Sequence, residues 1–314
     1  MTRPGLNLLL VALLALLAGC GGGGGDSTPS VTGLLLSYYY VLPSGTLPFT
    51  ATVGDQVQLL AYGTRATGQP TPMTSQVTWV SSDQGVATVS ATGMLTANSP
   101  GQTTITITYQ QVTPASLEVT VENRGPQPTA DLYPFAVGNV WTYTGTSVTP
   151  SALRAAQATT LTITVARQVI IEGKVWWELH ILGTDPQDPL GSMWLRHEGE
   201  GLLEYVDSAT QFWRLKEPLE AGRQWADLND PAHTWKILSL NAAATVPAGS
   251  YTDCVQAVEH WITDPEADPP NTPYDITTWY APGVGPVLSR TTWVDPDTQQ
   301  LMTDEQKLTR FEPR

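Results

Sequence analysis

Histidine and carboxylate side chains are the residues in this sequence best suited to metal binding or acid–base chemistry. The chain contains four histidines, His180, His197, His233 and His260. Glu178 and His180 are two residues apart on a predicted strand, so both side chains project from the same face. A zinc site in a protein needs three or four such ligands. Because only two are present, we expect a surface pair here and predict no metal and no cofactor.

Aspartates that precede proline form a second group with chemical potential. Carboxylates crowded on loops are good ligands for Ca²⁺, and the densest group falls in the segment Asp264–Tyr274. Asp before Pro is also common in ordinary turns, and no loop has EF-hand spacing, so we expect turns rather than Ca²⁺ sites. The Asp-Pro steps begin at Asp185, Asp188, Asp230, Asp264, Asp268 and Asp295.

Sequence motifs of common hydrolases and dinucleotide enzymes are missing from the chain. It has no Gly-x-Ser-x-Gly turn, no Ser-x-x-Lys pair, no His-Glu-x-x-His and no Rossmann glycine pattern. Acidic residues are plentiful, but their spacing selects no pair for glycoside hydrolysis. We therefore predict that the protein is not an enzyme, and we keep hydrolysis of an envelope polymer as a weaker alternative.

The amino-terminal segment has the pattern of an export signal. Arg3 precedes an apolar run, Leu6–Ala18, which at 13 residues is too short to span a bilayer. The end of this run, Leu17-Ala18-Gly19-Cys20, resembles the lipobox of bacterial lipoproteins. The resemblance implies a signal peptide over residues 1–19, lipidation of Cys20 and an extracytoplasmic, membrane-anchored protein. Gly21 rather than Asp after the cysteine favours the outer membrane in a two-membrane envelope.

The net charge and the number of cysteines limit which molecules the protein can bind and whether it can form a disulfide. Its formal net charge is −14, so its surface repels nucleic acid phosphates and anionic headgroups, and membrane contact is left to the lipid. Five glycines follow Cys20, and residues 20–30 are predicted to be a flexible tether. If Cys20 carries lipid, Cys254 has no partner in its own chain, and we expect a buried, inert thiol.

Residues 31–122 have the pattern of short strands separated by Gly, Pro, Asn and Asp, which is typical of an all-β sandwich. The run Val77–Ala97 contains Trp79, the strand Val86-Ala-Thr-Val and a turn glycine at Gly93, and a second glycine follows at Gly101. These residues closely resemble the bacterial Ig-like domain (group 2) family. The resemblance implies a spacing or interaction role, and we expect Trp79 to fill the sandwich core.

The composition changes after a Pro-rich segment, residues 123–131, which is predicted to be a linker. Ten of the eleven tryptophans lie beyond residue 140, and residues 132–314 are predicted to form one larger, curved antiparallel β-sheet or a partly closed barrel. The pattern Pro-apolar-x-x-Gly-x-x-Trp occurs twice and predicts two similar strand starts. Its glycines and tryptophans are Gly138 with Trp141 and Gly222 with Trp225.

The opening Tyr133–Tyr143 and the segment Trp279–Val287, with Gly283 and Gly285, resemble a recurrent domain of bacterial lipoproteins that brings no established activity. Its aromatic residues are expected to fill a β core, although an aromatic-lined concavity for an apolar molecule or sugar remains open. The leading hypothesis is a non-enzymatic envelope binding or adhesion module whose partner is a surface protein or a polysaccharide. The alternative is a carrier or sensor of an apolar ligand.

Overall fold

A computed structural model describes residues 30–38, 48–123, 129–147, 157–184, 189–207, 210–263, 272–296 and 298–314. The lipobox-like segment Leu17–Cys20 and the predicted glycine tether lie outside these residues. Most of the predicted linker and of the segment Asp264–Tyr274 also lies outside them. The predictions for these segments therefore rest on the sequence.

The first domain is a β-sandwich whose strands alternate buried and accessible side chains. In β3 (Gln56–Thr64), Val57, Leu59 and Ala61 are buried and the residues between them are more accessible. This period of two is what a strand with one face on a core requires. The other strands here are β1 (Gly33–Tyr38), β2 (Phe49–Thr52), β4 (Thr71–Pro72), β5 (Thr78–Ser81), β6 (Ala87–Val89), β7 (Met94–Ala97), β8 (Gly101–Tyr109) and β9 (Val112–Glu122).

Two sheets enclose the core of the sandwich. One sheet has the order β1-β3-β7-β6, with β4 beside β3, and the other has the order β2-β9-β8-β5. Leu59, Leu95 and Ile105 are fully buried between them. Trp79 is 9% exposed, and its indole N–H donates to the Thr74 carbonyl at 2.9 Å. The prediction that Trp79 fills the core is therefore confirmed.

The second domain is built from longer antiparallel strands. A 3-10 turn, Ala130–Leu132, precedes them. The strands are β10 (Val140–Ser147), β11 (Gln157–Ile171), β12 (Lys174–Leu182), β13 (Pro189–Glu198), β14 (Gly201–Asp207), β15 (Thr210–Lys216), β16 (Gln224–Ala226), β17 (Thr234–Val246), β18 (Gly249–Ile262), β19 (Pro273–Ala281), β20 (Gly285–Val294) and β21 (Leu301–Glu312).

These strands form two consecutive meanders, β10–β15 and β16–β21, in which each strand pairs with the next. The meanders join where β10 pairs with β21, and Trp141 lies opposite Phe311 in that register. The strand path ends at β15 on one side and at β16 on the other, with no ladder between these two strands in the described residues. The all-β prediction is confirmed, and the sheet is open rather than closed into a barrel.

The two domains share one mixed sheet. Strand β2 runs parallel to β9 on one side, and on the other side Thr50 pairs with Lys174 of β12. The Thr50 N–H donates to the Gly173 carbonyl at 2.8 Å. Ile170 and Val175 of the second domain pack into the core of the first. We call this contact the joint; it connects the domains by packing and hydrogen bonds as well as by the main chain.

Gln168 adds polar contacts to the joint. Its side-chain oxygen accepts the Gln56 N–H at 2.5 Å, and its amide nitrogen donates to the Asp55 carboxylate at 3.0 Å. Gln168 is 6% exposed, so these bonds are shielded from water.

Within the described residues, no helix is long and apolar enough to cross a membrane.

Candidate functional site

The repeated Gly-x-x-Trp pattern forms the same backbone turn in both meanders. Gly138 has a φ of 91° and Gly222 a φ of 90°, values that an L side chain adopts only with strain. The Gly138 N–H donates to the Val165 carbonyl, the Gly222 N–H donates to the Ile237 carbonyl, and both distances are 2.8 Å. In each turn, the carbonyl of the residue after the glycine accepts a hydrogen bond back from the N–H of that same partner. The distance is 3.0 Å for Val165 and 2.9 Å for Ile237. The two turns therefore start β10 and β16 in equivalent ways.

The tryptophan of each turn anchors a different junction of the sheet. Trp141 is fully buried and its indole N–H donates to the Val284 carbonyl at 2.6 Å. Gly285 has a φ of 104°, and a Cβ there would lie 3.1 Å from Trp141 Nε1. Gly283 lies in the same turn with a φ of 73° and open space around it. Trp141, Gly283 and Gly285 therefore lie together, whereas Trp225 serves the other junction.

Side chains rather than a backbone ladder connect the two ends of the open sheet. The Trp225 indole N–H of β16 donates to the Trp213 carbonyl of β15 at 2.7 Å. Trp235 stacks on Trp225 with ring centroids 6.4 Å apart and on Phe212 with centroids 5.2 Å apart. We call this contact, formed by Phe212, Trp213, Arg214, Trp225 and Trp235, the seam.

A β-bulge in β15 determines the position of Arg214, the one charged residue of the seam. Leu202 pairs with Leu215 and Leu203 pairs with Trp213, so Arg214 is an extra residue without a counterpart on β14. Such a bulge bends the strand and redirects its side chains. The Arg214 guanidinium hydrogen-bonds through Nε to the carboxylate of Glu204, which is 2% exposed.

The network around Arg214 spans the seam and includes a second carboxylate. Arg214 Nη1 lies 3.5 Å from Glu259 Oε2 on β18, and His233 Nε2 lies 2.8 Å from Glu259 Oε1. Burial disfavours the charged form of Arg214, but Glu204 and Glu259 outweigh it and raise the pKa of the guanidinium. Burial also raises the pKa of the neighbouring Tyr280 hydroxyl. Arg214 therefore remains charged and links β14, β15 and β18.

This arrangement is better suited to holding strands together than to catalysis. A glycosidase needs an acid and a base that both reach the scissile bond. Here the side chains of Glu204 and Glu259 are only 3% and 11% exposed, and both contact Arg214. Removing one partner of such a buried ion pair would leave an uncompensated charge. The network thus stabilises the seam.

An open groove of about 450 Å³ lies beside the seam, where β16, β17 and β18 run next to each other. Lys236 lies opposite Gln224 on one side and Val258 on the other, and Thr234 lies opposite Ala226 and His260. The lining residues are Gln224, Trp225, Ala226, Thr234, Trp235, Lys236, Val258 and His260.

His260 lines the groove, and its ring nitrogens can take part in acid–base chemistry. Its Nδ1 lies 2.7 Å from the Asp275 carboxylate on β19, which fixes the ring. Such a pair orients a general base, but a nucleophile must also lie within hydrogen-bond reach. Among the residues that the structure describes, no hydroxyl or thiol makes a hydrogen bond to His260. The groove therefore offers polar side chains for binding.

The remaining residues considered for metal binding lie apart from this groove. Glu178 and His180 lie 3.6 Å apart, and Glu178 also accepts a 2.6 Å bond from Arg167. His197 Nε2 lies 2.9 Å from the Tyr133 carbonyl. In the described parts of the chain, no three His, Cys, Asp or Glu residues are grouped closely enough to hold a metal.

Two of the Asp-Pro steps lie in described turns. Asp230 Oδ1 accepts the Ala232 N–H at 3.0 Å, and Asp295 Oδ1 accepts the Thr298 N–H at 2.8 Å. These are the local side-chain bonds expected of Asp in turns.

Cys254 is free and fully buried, and burial raises the pKa of its thiol, which disfavours the reactive thiolate.

Sequence reasoning missed Arg214, Glu204 and Glu259. The sequence carries a signal for Arg214, because the apolar residues Phe212 and Leu215 are three apart, which breaks the strand period of two. Both are buried in the structure. The pairing with Glu259 had no local signal, since 45 residues separate the partners. The seam therefore emerges only from the folded sheet.

The fold and site define an all-β protein in which a sandwich is followed by a large sheet that does not close into a barrel. Residues 48–121 match the family described as bacterial Ig-like domain (group 2). This segment of the first domain is therefore a bacterial Ig-like domain. A comparison with curated proteins finds no match.

Two crystal structures share a limited likeness with the chain. One is from Bacteroides fragilis and is described as an exported protein with a YmcC-like fold. It is 13% identical over 58% of this chain and 98% of that chain, with a TM-score of 0.35. The other is from Parabacteroides distasonis and is described as a lipoprotein. It is 14% identical over 58% of this chain and 98% of that chain, with a TM-score of 0.33.

Proposed function

We propose that the protein is a lipid-anchored, extracytoplasmic binding module of the bacterial envelope. The observation that carries this proposal is the lipobox-like segment Leu17–Cys20 behind a short apolar run. Several acyl chains on one cysteine give stable anchoring where one chain would not. Where the envelope has two membranes, Gly21 after the lipidated cysteine favours the outer one.

The Ig-like domain and the joint support a role in presenting the second domain. Bacterial Ig-like domains serve as spacers and interaction modules, and here the spacer packs against the domain that follows it. Gln168 and the Thr50–Gly173 bond hold the two together. We infer that the groove beside the seam is presented at a defined distance and orientation relative to the first domain.

The packing of the second domain gives less support to the hypothesis that this domain carries an apolar ligand. A carrier needs a lined cavity of several hundred Å³. Trp141, Leu179, Val287 and Leu308 are fully buried within one continuous cluster. Side chains fill the space that such a ligand would occupy, so binding on the accessible groove is the better-supported hypothesis.

The anchoring proposal is tested by replacing the predicted lipid acceptor. We expect Cys20→Ser to move the protein from the membrane fraction to the soluble fraction and to abolish labelling by radioactive palmitate. Cys254→Ser is the matched control, because its buried thiol has no role in anchoring, and it should fractionate like the natural protein. A Cys20→Ser variant that stays in the membrane fraction and still incorporates palmitate would refute the proposal.

A further inference from the structure

The inward face of β18–β21, which also carries Glu259, holds a group of unpaired polar atoms. In the described residues, seven buried side-chain nitrogen or oxygen atoms have no hydrogen-bond partner. Four of the seven lie on this face, and they are Trp261 Nε1, Trp293 Nε1, Asp304 Oδ1 and Gln306 Oε1. Buried polar groups in native proteins nearly always have partners, so such a group indicates a place where a bound molecule supplies them.

The two acceptor oxygens of this group are neighbours on β21. Asp304 lies opposite Thr291, and Gln306 lies opposite Ser289, so all four side chains project from the same face of β20 and β21. The side-chain nitrogen of Gln306 donates to Thr159 Oγ1 at 3.2 Å, which leaves its oxygen without a donor. The face therefore presents a carboxylate, an amide oxygen and two hydroxyls next to one another.

Asp304 has no cation beside it. In the described ladders that join β19, β20 and β21, it is the one charged residue on the inward face. Arg290 and Lys307 project from the opposite face, where both contact Glu305. Burial raises the pKa of the Asp304 carboxyl, as expected of an acid that is shielded from water without a nearby cation. A positively charged donor is therefore the partner that this face requires.

We propose that this face binds a molecule that carries a primary ammonium group on an aliphatic chain. An ammonium group has one positive charge and three N–H donors, which match Asp304, Gln306 and the hydroxyl of Thr291. Both acceptor residues are partly accessible, and rotation of the Asp304 carboxylate exchanges its two oxygens. Ile276 lies opposite Thr291, Met302 precedes Asp304 on the same face, and both are partly accessible, so they offer apolar contact to the chain.

The test is titration of the full chain in detergent with n-pentylammonium, followed by NMR of the tryptophan indole N–H groups. The neutral comparison is 1-pentanol, and pentyltrimethylammonium is a cation of similar length without N–H donors. We expect n-pentylammonium to shift the Trp293 signal and to bind about tenfold more tightly than either comparison, which corresponds to one charge-assisted hydrogen bond. Nα-acetyl-lysine amide and phosphoethanolamine then distinguish a peptide from a lipid headgroup as the source of the ammonium.

Two variants keep the test specific. Asp304→Asn should remove the preference for n-pentylammonium over 1-pentanol and, without ligand, should be no less stable to heat, because no cation loses its partner. Asp275→Asn is the matched control, since it removes the same charge from the opposite face, where Asp275 pairs with His260 at 2.7 Å, and it should bind like the natural protein. Equal binding of the amine and the alcohol, or an unchanged preference in Asp304→Asn, would overturn the inference.

Discussion

The ion-pair network at the seam gives the most quantitative prediction. In Arg214→Met, the Glu204 carboxylate, 2% exposed, loses its charged partner, while Glu259 keeps His233 at 2.8 Å. Removing one partner of a buried pair costs about 3–5 kcal/mol. For a domain of this size, roughly 2–4 °C of melting temperature accompany each kcal/mol. We therefore expect the melting temperature of the second domain to fall by about 6–20 °C.

Differential scanning calorimetry of the full chain measures this change, and two further variants separate its causes. Arg310→Met breaks the exposed pair with Glu312 and should cost less than about 1 kcal/mol. The double variant Glu204→Met with Arg214→Met removes the buried carboxylate together with the guanidinium that neutralises it, so it should recover most of the loss. A single Arg214→Met variant as stable as Arg310→Met, or a double variant no better than the single one, would refute the reasoning.

Two other predictions concern the joint and a turn. Gln168→Ala removes the acceptor of the Gln56 N–H and one donor to the Asp55 carboxylate, at about 1–3 kcal/mol. Calorimetry should then show the two domains melting further apart in temperature, and an unchanged profile would contradict the joint. Gly285→Ala should cost more than Gly283→Ala in urea unfolding, because both require a positive φ but only the first places a methyl group 3.1 Å from Trp141 Nε1. Equal losses would show that crowding at Trp141 is unimportant.

Much of the fold follows from local patterns in the sequence. The alternation in segments such as Gln56–Gly63 predicted the sandwich, and the observed strand is Gln56–Thr64. The two Gly-x-x-Trp patterns predicted two similar strand starts. These features are local because strand period and turn conformation depend on neighbouring residues.

The joint and the seam depend on contacts between distant residues. Nothing near Thr50 indicates that it pairs with Lys174, and nothing near Arg214 indicates Glu259.

The Thr50–Lys174 bridge also determines how mechanical load would travel through the molecule. If lipid holds the amino-terminal end and a partner pulls on the second domain, tension passes from the sandwich into the larger sheet. The Thr50–Gly173 bond and the contacts of Gln168 share that tension with the main chain between the domains. Separating the two domains would expose Ile170 and Val175, which pack into the core of the first domain. The joint would therefore resist load by apolar packing as well as by hydrogen bonds.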